Sequence, residues 1–197
     1  MNNTNIMIVG VGGQGTLLAS RILGDAALNT GLDVKVSEVH GMSQRGGSVV
    51  TYVKMGKKVH SPVVEKGEAD IILCFEKLEA LRWIDYAKKD ARIIINDQRI
   101  DPMPVIIGKA RYPDSIIEKI KAEYPNTVDV PALNMARECG SIKAVNVVLV
   151  GVMARHSEIP EEVWLNAIEK NVKPQFIELN KKAFNAGYDY AVCLAGK

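Results

Sequence analysis

The sequence predicts an α/β chain of three layers, in which a mostly parallel sheet carries one β-hairpin and the C-terminal third is helical. Three observations predict it. Short apolar runs at residues 6–9, 69–74 and 91–95 read as strands buried on both faces. Segments between them place apolar residues every three or four positions, as helices packed on such a sheet do. From about residue 131 onward the helical pattern dominates. With 197 residues, 47% of them hydrophobic, the chain can bury one core. It reads as a single domain over 1–197, with a helical extension at about 131–197.

The first strand runs into Gly10-Val11-Gly12-Gly13-Gln14-Gly15 and then Thr16-Leu17-Leu18-Ala19. Gly10, Gly12 and Gly15 fit G-x-G-x-x-G, with Gly13 as an extra glycine inside the motif. Strand, tight turn and helix in this order are Rossmann-like. The glycines admit two readings. They let a phosphate approach the N–H groups at a helix N-terminus, or they let strand and helix pack closely. Leu18, Ile22 and Ala26, with Ala19, Leu23 and Ala27 beside them, form the buried stripe of the helix, and Gly31 stops it. Residues 33–39 alternate as a second strand. Glu38 falls where a dinucleotide-binding domain keeps its ribose-binding acid, but reads more simply as a solvent-facing charge at a strand end.

The next stretch, His40-Gly41-Met42-Ser43-Gln44-Arg45-Gly46-Gly47, is a polar, glycine-rich loop between two strands. In an open α/β sheet it belongs at the carboxyl edge beside the first glycine turn, where such sheets bind ligands. It brings together an imidazole, a hydroxyl, an amide and a guanidinium, and the planar fork of Arg45 suits phosphate or carboxylate. Residues 48–55 alternate strictly, with Val49, Thr51, Val53 and Met55 on one side. Gly56-Lys57 reads as a turn and Val59-His60 as the start of a return strand, so the hairpin is expected there. His60 reads as an exposed strand-end residue.

A strand at 69–74 leads into a helix with Leu78, Leu81 and Ile84 inward and Glu76, Lys77, Glu79, Arg82, Asp85 and Lys88 around them. Cys74 reads as a small core residue. After the strand at 91–95, Pro102 and Pro104 break the chain, and 105–107 read as a short strand. Residues 113–123 read as a helix, 127–130 as a strand and 132–138 as a helix ended by Gly140. Residues 143–156 are apolar on nearly all sides. Their β-branched content favours strand and their length favours helix, and a buried helix is expected. Pro160-Glu161-Glu162 opens another helix with Trp164, Ile168 and Val172 inward. A last helix starts near Pro174, with Phe176, Leu179 and Ala183 inward.

Composition excludes several classes. The formal net charge of +2 is too small to argue for nucleic acid or an anionic membrane, and no long Lys/Arg run or RNA-binding aromatic pattern occurs. The longest apolar run, 144–154, contains Asn146 and is too short to span a bilayer. Cys74, Cys139 and Cys193 are far apart and form no C-x-x-C pair, so no metal or iron–sulfur cluster held by this chain alone is expected. Sparse cysteines and a polar N-terminus entering a strand directly fit a cytoplasmic chain.

The glycine turn, followed by Glu38-Val39-His40-Gly41-Met42-Ser43-Gln44-Arg45-Gly46-Gly47-Ser48-Val49, resembles the gamma subunit or domain of the 2-oxoacid:ferredoxin oxidoreductases. Within them, His40-Gly41-Met42-Ser43-Gln44 is similar to the beta subunits of the indolepyruvate branch. The resemblance implies an oxidative decarboxylation. An aryl 2-oxo acid, coenzyme A (CoA) and oxidised ferredoxin give acyl-CoA, carbon dioxide and reduced ferredoxin. It further implies that thiamine diphosphate, magnesium and 4Fe-4S clusters are involved. The Gly-Asp-Gly motif needed for thiamine diphosphate is lacking here, the nearest match being Gly24-Asp25-Ala26 inside a helix. These cofactors are therefore expected in a large alpha subunit, with this chain as the small subunit and no cofactor held by it alone. Expected cofactor- or co-substrate-binding residues are Gly10, Gly12, Gly13, Gln14, Gly15, Ser43, Gln44, Arg45, Gly46 and Gly47. The catalytic candidates are His40, Gln44 and Arg45, although His40 reads more simply as a hydrogen-bonded structural residue. Two rivals remain, a stand-alone NAD(P)-dependent oxidoreductase resting on the glycines and Glu38, and a non-catalytic binding module with the same fold.

Overall fold

The computed structural model describes residues 3–43 and 45–195. The strands are β1 (Thr4–Val11), β2 (Asp33–His40), β3 (Ser48–Gly56), β4 (Ala69–Cys74), β5 (Ala87–Asn96) and β6 (Thr127–Val130). They form one six-stranded sheet of order β2-β3-β1-β4-β5-β6. β1, β4, β5 and β6 pair in parallel, while β3 runs antiparallel to both β1 and β2. The hairpin is thus real, but its partner lies upstream. β2 and β3 pair from Asp33↔Gly56 to His40↔Val49, joined through residues 41–47. Val59-His60 is not a strand. Val59 is instead buried, with its N–H donating to Asp33 Oδ2 at 2.8 Å. Seven residues between two runs of alternating pattern suffice to close an antiparallel pair locally.

Period-two alternation gives each central strand two apolar faces. Ile6, Ile8, Val53, Leu73, Ile94 and Val130 lie on one face, and Met7, Val9, Val50, Ile72, Cys74, Ile93 and Ile95 on the other. The first face is covered by α1 (Thr16–Asn29), α5 (Ala132–Glu138), α6 (Val145–Ala154), α7 (Glu161–Asn171) and α8 (Ile177–Ala195). The second carries α2 (Lys77–Trp83) and α4 (Ile116–Glu123). α1 ends as expected at Gly31. The Gly31 N–H bonds Leu28 O at 3.0 Å and the Leu32 N–H bonds Ala27 O at 3.4 Å, a left-handed glycine stop.

The apolar run expected as a buried helix is α6, all ten of whose residues are buried. α8 crosses it at close range. A Cβ on Gly151 would lie 2.1 Å from Phe184 O, and one on Gly187 would lie 2.0 Å from Val148 O. No other residue type permits this crossing.

Three expectations fail locally. Residues 105–107 are not a strand; residues Met103–Ile106 form the short helix α3. Pro102 precedes it and Pro104 sits in its first turn, where a fixed φ and a missing N–H suit a helix start. The helix of α2 stops at Trp83 in a single 3₁₀ turn, Ile84–Tyr86, and Lys88 already belongs to β5. Phe176 is exposed, because its 3₁₀ turn, Pro174–Phe176, precedes the buried part of α8. Among the described residues, no helix is long and apolar enough to cross a membrane.

Candidate functional site

β1 carries the chain to the carboxyl edge of the sheet, and residues 12–15 turn it into α1. The turn is held by its own atoms. Gln14 N–H donates to Val11 O at 3.2 Å, and Gln14 Oε1 accepts from the Val11 N–H at 2.7 Å. Gln14 Nε2 donates to Phe75 O, just past β4, at 2.8 Å. Gln14, expected among the ligand-binding residues, therefore spends both ends of its amide bracing β1 against β4. Gly10 is a packing glycine, since a Cβ there would meet Gln14 Oε1 and Phe75 Cβ at 3.0 Å each. In an open α/β sheet the crevice where helices switch faces is the usual ligand site. Here α1 follows β1 on one face and α2 follows β4 on the other, and Gln14 spans the gap between them.

Gly15 caps α1 in the left-handed region, at φ 84° and ψ 28°, with no side-chain cap bond. Its carbonyl accepts from Asn146 Nδ2 at 3.2 Å. Asn146 is buried at the start of α6, and its Oδ1 accepts the Val147 N–H. The sequence signal for this residue is a lone amide in an otherwise apolar run. A buried amide needs a partner, and the glycine turn supplies it.

The second motif joins the first directly. Gly12 N–H donates to Gly47 O at 2.9 Å, and Gly46 N–H donates to Gly12 O at 3.4 Å. Both glycine stretches thus form one double-stranded rim at the end of β1 and β3. Within the loop Ser43 Oγ donates to Arg45 O at 2.7 Å, so this hydroxyl shapes the loop. Gly46 has φ 74°, and a Cβ on Gly47 would lie 2.8 Å from Ser43 O. His40 is exposed, with Nδ1 2.9 Å from Gly41 O. Met42 is fully exposed, as is much of Arg45, which forms no ion pair among the described residues. Gln44 lies outside the described residues.

A groove of about 380 Å³ opens on the side of β1 away from Gln14. The glycine turn (Gly12, Gly13, Gly15) and the first residues of α1 form one wall, and Glu38, His40 and Val49 form the other. Gly13, at φ 101°, has open space around its Cα. Glu38 is not a freely solvated charge. It is half-buried, lines this groove and accepts from Thr51 Oγ1 at 3.3 Å. The groove therefore offers N–H donors and a positive helix end on one side and a carboxylate on the other. This suits a ligand segment bearing both acceptors and donors; Arg45, exposed in the adjoining loop, does not itself line the groove. A second groove of the same volume lies by α4, but its cations are already paired. Lys77–Asp97 is 2.8 Å, Arg99–Asp101 2.6 Å and Lys121–Asp129 2.5 Å.

Sequence periodicity missed the polar network behind the site. Glu76 and Glu79, expected on the outer face of α2, are 1% and 4% exposed. Glu76 caps α2 by accepting the Glu79 N–H at 3.0 Å, and it also accepts the Ile100 N–H at 3.1 Å and Tyr112 Oη–H at 2.5 Å. Burial, then the bond to Glu76, pushes the Tyr112 phenol far above its usual range. Fully buried Asn96 donates from Nδ2 to Phe75 O at 3.0 Å and Gln98 Oε1 at 2.9 Å. Cys74 is fully buried, and burial followed by the charges of Glu79 and Glu76 raises its thiol well above the ordinary value, as for a core residue. The described residues contain no group of three or more His, Cys, Asp or Glu side chains arranged to hold a metal. Asp25 of the Gly24-Asp25-Ala26 match is occupied by Lys170 Nζ at 3.0 Å and Asn171 Nδ2 at 2.5 Å. It does not fit a magnesium–diphosphate site.

Residues 5–190 match the family model described as pyruvate ferredoxin/flavodoxin oxidoreductase. Indolepyruvate oxidoreductase subunit IorB of Thermococcus kodakarensis is 41% identical over 201 residues, covering 100% of both chains. Among solved structures, a keto/oxoacid ferredoxin oxidoreductase gamma subunit from Geobacter sulfurreducens superposes with a TM-score of 0.73 at 23% identity, covering 96% of this chain and 99% of that one. A 2-oxoglutarate:ferredoxin oxidoreductase from Magnetococcus marinus, with 2-oxoglutarate, CoA and succinyl-CoA bound, gives 0.75 at 17% identity. It covers 98% of this chain and 32% of that one. At these identities the structures establish the fold. The chain belongs to the pyruvate ferredoxin/flavodoxin oxidoreductase family, in the branch of the indolepyruvate oxidoreductase IorB subunits.

Proposed function

We propose that this chain is the small subunit of a cytoplasmic, CoA-dependent indolepyruvate (arylpyruvate):ferredoxin oxidoreductase. Its large alpha partner would carry thiamine diphosphate, magnesium and the 4Fe-4S clusters. The aryl 2-oxo acid loses its carboxylate as carbon dioxide. The acyl group forms a thioester with the CoA thiol, whose proton is released, and the electron pair passes to ferredoxin. Thiamine diphosphate supplies the electron sink for that decarboxylation, and the residues of this chain do not fit it.

The work of this chain is positioning. The observation that carries the reading is the backbone pairing of Gly12 with Gly46 and Gly47, which fuses two motifs far apart in sequence into one rim beside an open groove. On this reading the first turn of α1, Gly13 and Glu38 receive the polar pantetheine arm of CoA. Arg45 meets its phosphates with a planar fork. Gly10, Gln14 and Gly15 hold the geometry, as does the Ser43 hydroxyl. His40, exposed at the end of β2, faces the partner's active site. The fold's presence in the CoA-bound M. marinus enzyme supports this assignment.

The dinucleotide-dependent alternative draws support only from Glu38, which does line the groove. Against it, Gln14 spans the crevice that would receive a pyrophosphate. Co-expression with the large subunit, followed by an anaerobic assay of indolepyruvate- and CoA-dependent viologen reduction, tests the proposal. Activity requiring both chains is expected, and Arg45→Ala in that complex raises the CoA KM. Tight NAD(P) binding by the isolated chain, with no activity from the pair, would overturn the reading.

A further inference from the structure

The loop that carries Arg45 is held from below by a side chain that no motif marks. Ser48, the first residue of β3 and the residue after Gly46-Gly47, donates its hydroxyl to the Glu79 carboxylate. Trp83 Nε1 donates to the same Glu79 oxygen at 3.3 Å and lies 3.4 Å from Ser48 Oγ. Arg82 Nε donates to the other oxygen at 3.2 Å. The carboxylate is 4% exposed, so each of these donors replaces water that Glu79 has given up. α2 is a rigid platform for it, because buried Glu76 caps that helix and ties it to residues Ile100 and Tyr112.

We infer that Glu79 is a positioning residue for the 41–47 loop. It clamps the loop's C-terminal root at Ser48, while the Gly12 pairs hold the adjoining backbone, so that Arg45 is presented at one place on the rim. An otherwise exposed loop rich in glycine would sample many arrangements, and a ligand would have to select one of them. A buried carboxylate in a helix is a costly way to cap a strand. It is well suited to fixing a loop root from the far side of the sheet edge. The effect on CoA rests on the proposed function above, whereas the clamp itself does not.

The test uses Glu79→Ala, Glu79→Gln and Ser48→Ala in the full chain, alone and co-assembled with the large subunit. In the isolated chain, tryptic cleavage after Arg45 is timed by mass spectrometry. Loss of hydrogen bonds to a buried charge predicts cleavage about tenfold faster in Glu79→Ala. In the complex the same variant raises the CoA KM about tenfold, with kcat changed less than about threefold. Glu79→Gln recovers most of both, because its amide oxygen still accepts from Ser48 and Trp83. A merely structural role would lower the yield of complex or kcat without this split and without rescue. Ser48→Ala removes one hydroxyl at the surface of the clamp and keeps the idea falsifiable if Glu79→Ala fails to fold. Unchanged Arg45 cleavage and unchanged CoA KM in an active complex would overturn the inference. An inactive wild-type pair would instead overturn the proposed function, and the cleavage rates in the isolated chain would still decide the clamp.

Discussion

The two motifs that meet at the carboxyl edge are built on opposite plans. The glycine turn is consumed by the fold. Gly10 packs on Phe75, Gly15 is covered by Asn146, and both ends of the Gln14 amide are taken. The 41–47 loop is held at its root, by Gly12 and Glu79, and presents its head, with Met42 and Arg45, to solvent. A pattern that looks like a ligand cradle can thus serve mainly as the anvil against which a second, less familiar loop is set.

Substitutions sharpen that contrast, and the largest effect belongs to the turn. Gly15→Ala puts a Cβ 2.6 Å from Asn146 Nδ2 at φ 84°. Strain and overpacking together should cost about 3 kcal/mol, read as a fall in denaturant midpoint at constant m. Gln14→Ala orphans the Val11 N–H, and the expected loss is about 2 kcal/mol by the same measurement. If either variant were as stable as wild type, the turn would not be the anvil described here. Gly13→Ala meets no neighbour and carries only the strain of φ 101°, about 1 kcal/mol. Its CoA KM should nonetheless rise, because Gly13 lines the groove.

An acid effect of similar size comes from the opposite end of the sheet and serves as a control. Burial, with Arg92 and Arg155 nearby, lowers the His156 pKa to about 4. The unfolded chain takes up this proton near pH 6.5 and the folded chain does not, so stability falls as pH drops from about 6.5 to 4 and levels off below. His156 is half-buried, so the loss is on the order of 1 kcal/mol after discounting for solvent. His156→Gln should flatten the dependence of Tm on pH over that window. The smallest effect on stability is at the loop head. Arg45→Ala should stay within about 0.5 kcal/mol of wild type while it weakens CoA. A large loss of stability there would erase the distinction between the two motifs.

Much of this was legible because periodicity reports burial. The strands at 69–74 and 127–130 and the face shared by Val49, Thr51, Val53 and Met55 follow from it, whereas the helix at residue 145 onward follows from the length of its apolar run. The same logic failed at α2. Glu76 and Glu79 look like solvent-facing acids in a pattern, but they are buried because Tyr112, Ile100 and Ser48 arrive from distant parts of the chain to donate to them. The hairpin was visible but assigned to the wrong neighbour, since alternation identifies a strand and not its partner.

By itself the sequence determined the α/β class, the existence of both glycine-bearing motifs and, through their order and spacing, the family. These are local properties of turn residues and hydrophobic spacing, present before any folding. Only the tertiary structure decided that β3 inserts between β1 and β2, that Gln14 spans the expected crevice, and that the open groove lies on the other side of β1. Those outcomes depend on which distant donors and acceptors satisfy one another once water is excluded. That pairing is a property of the assembled core and not of any single stretch of chain.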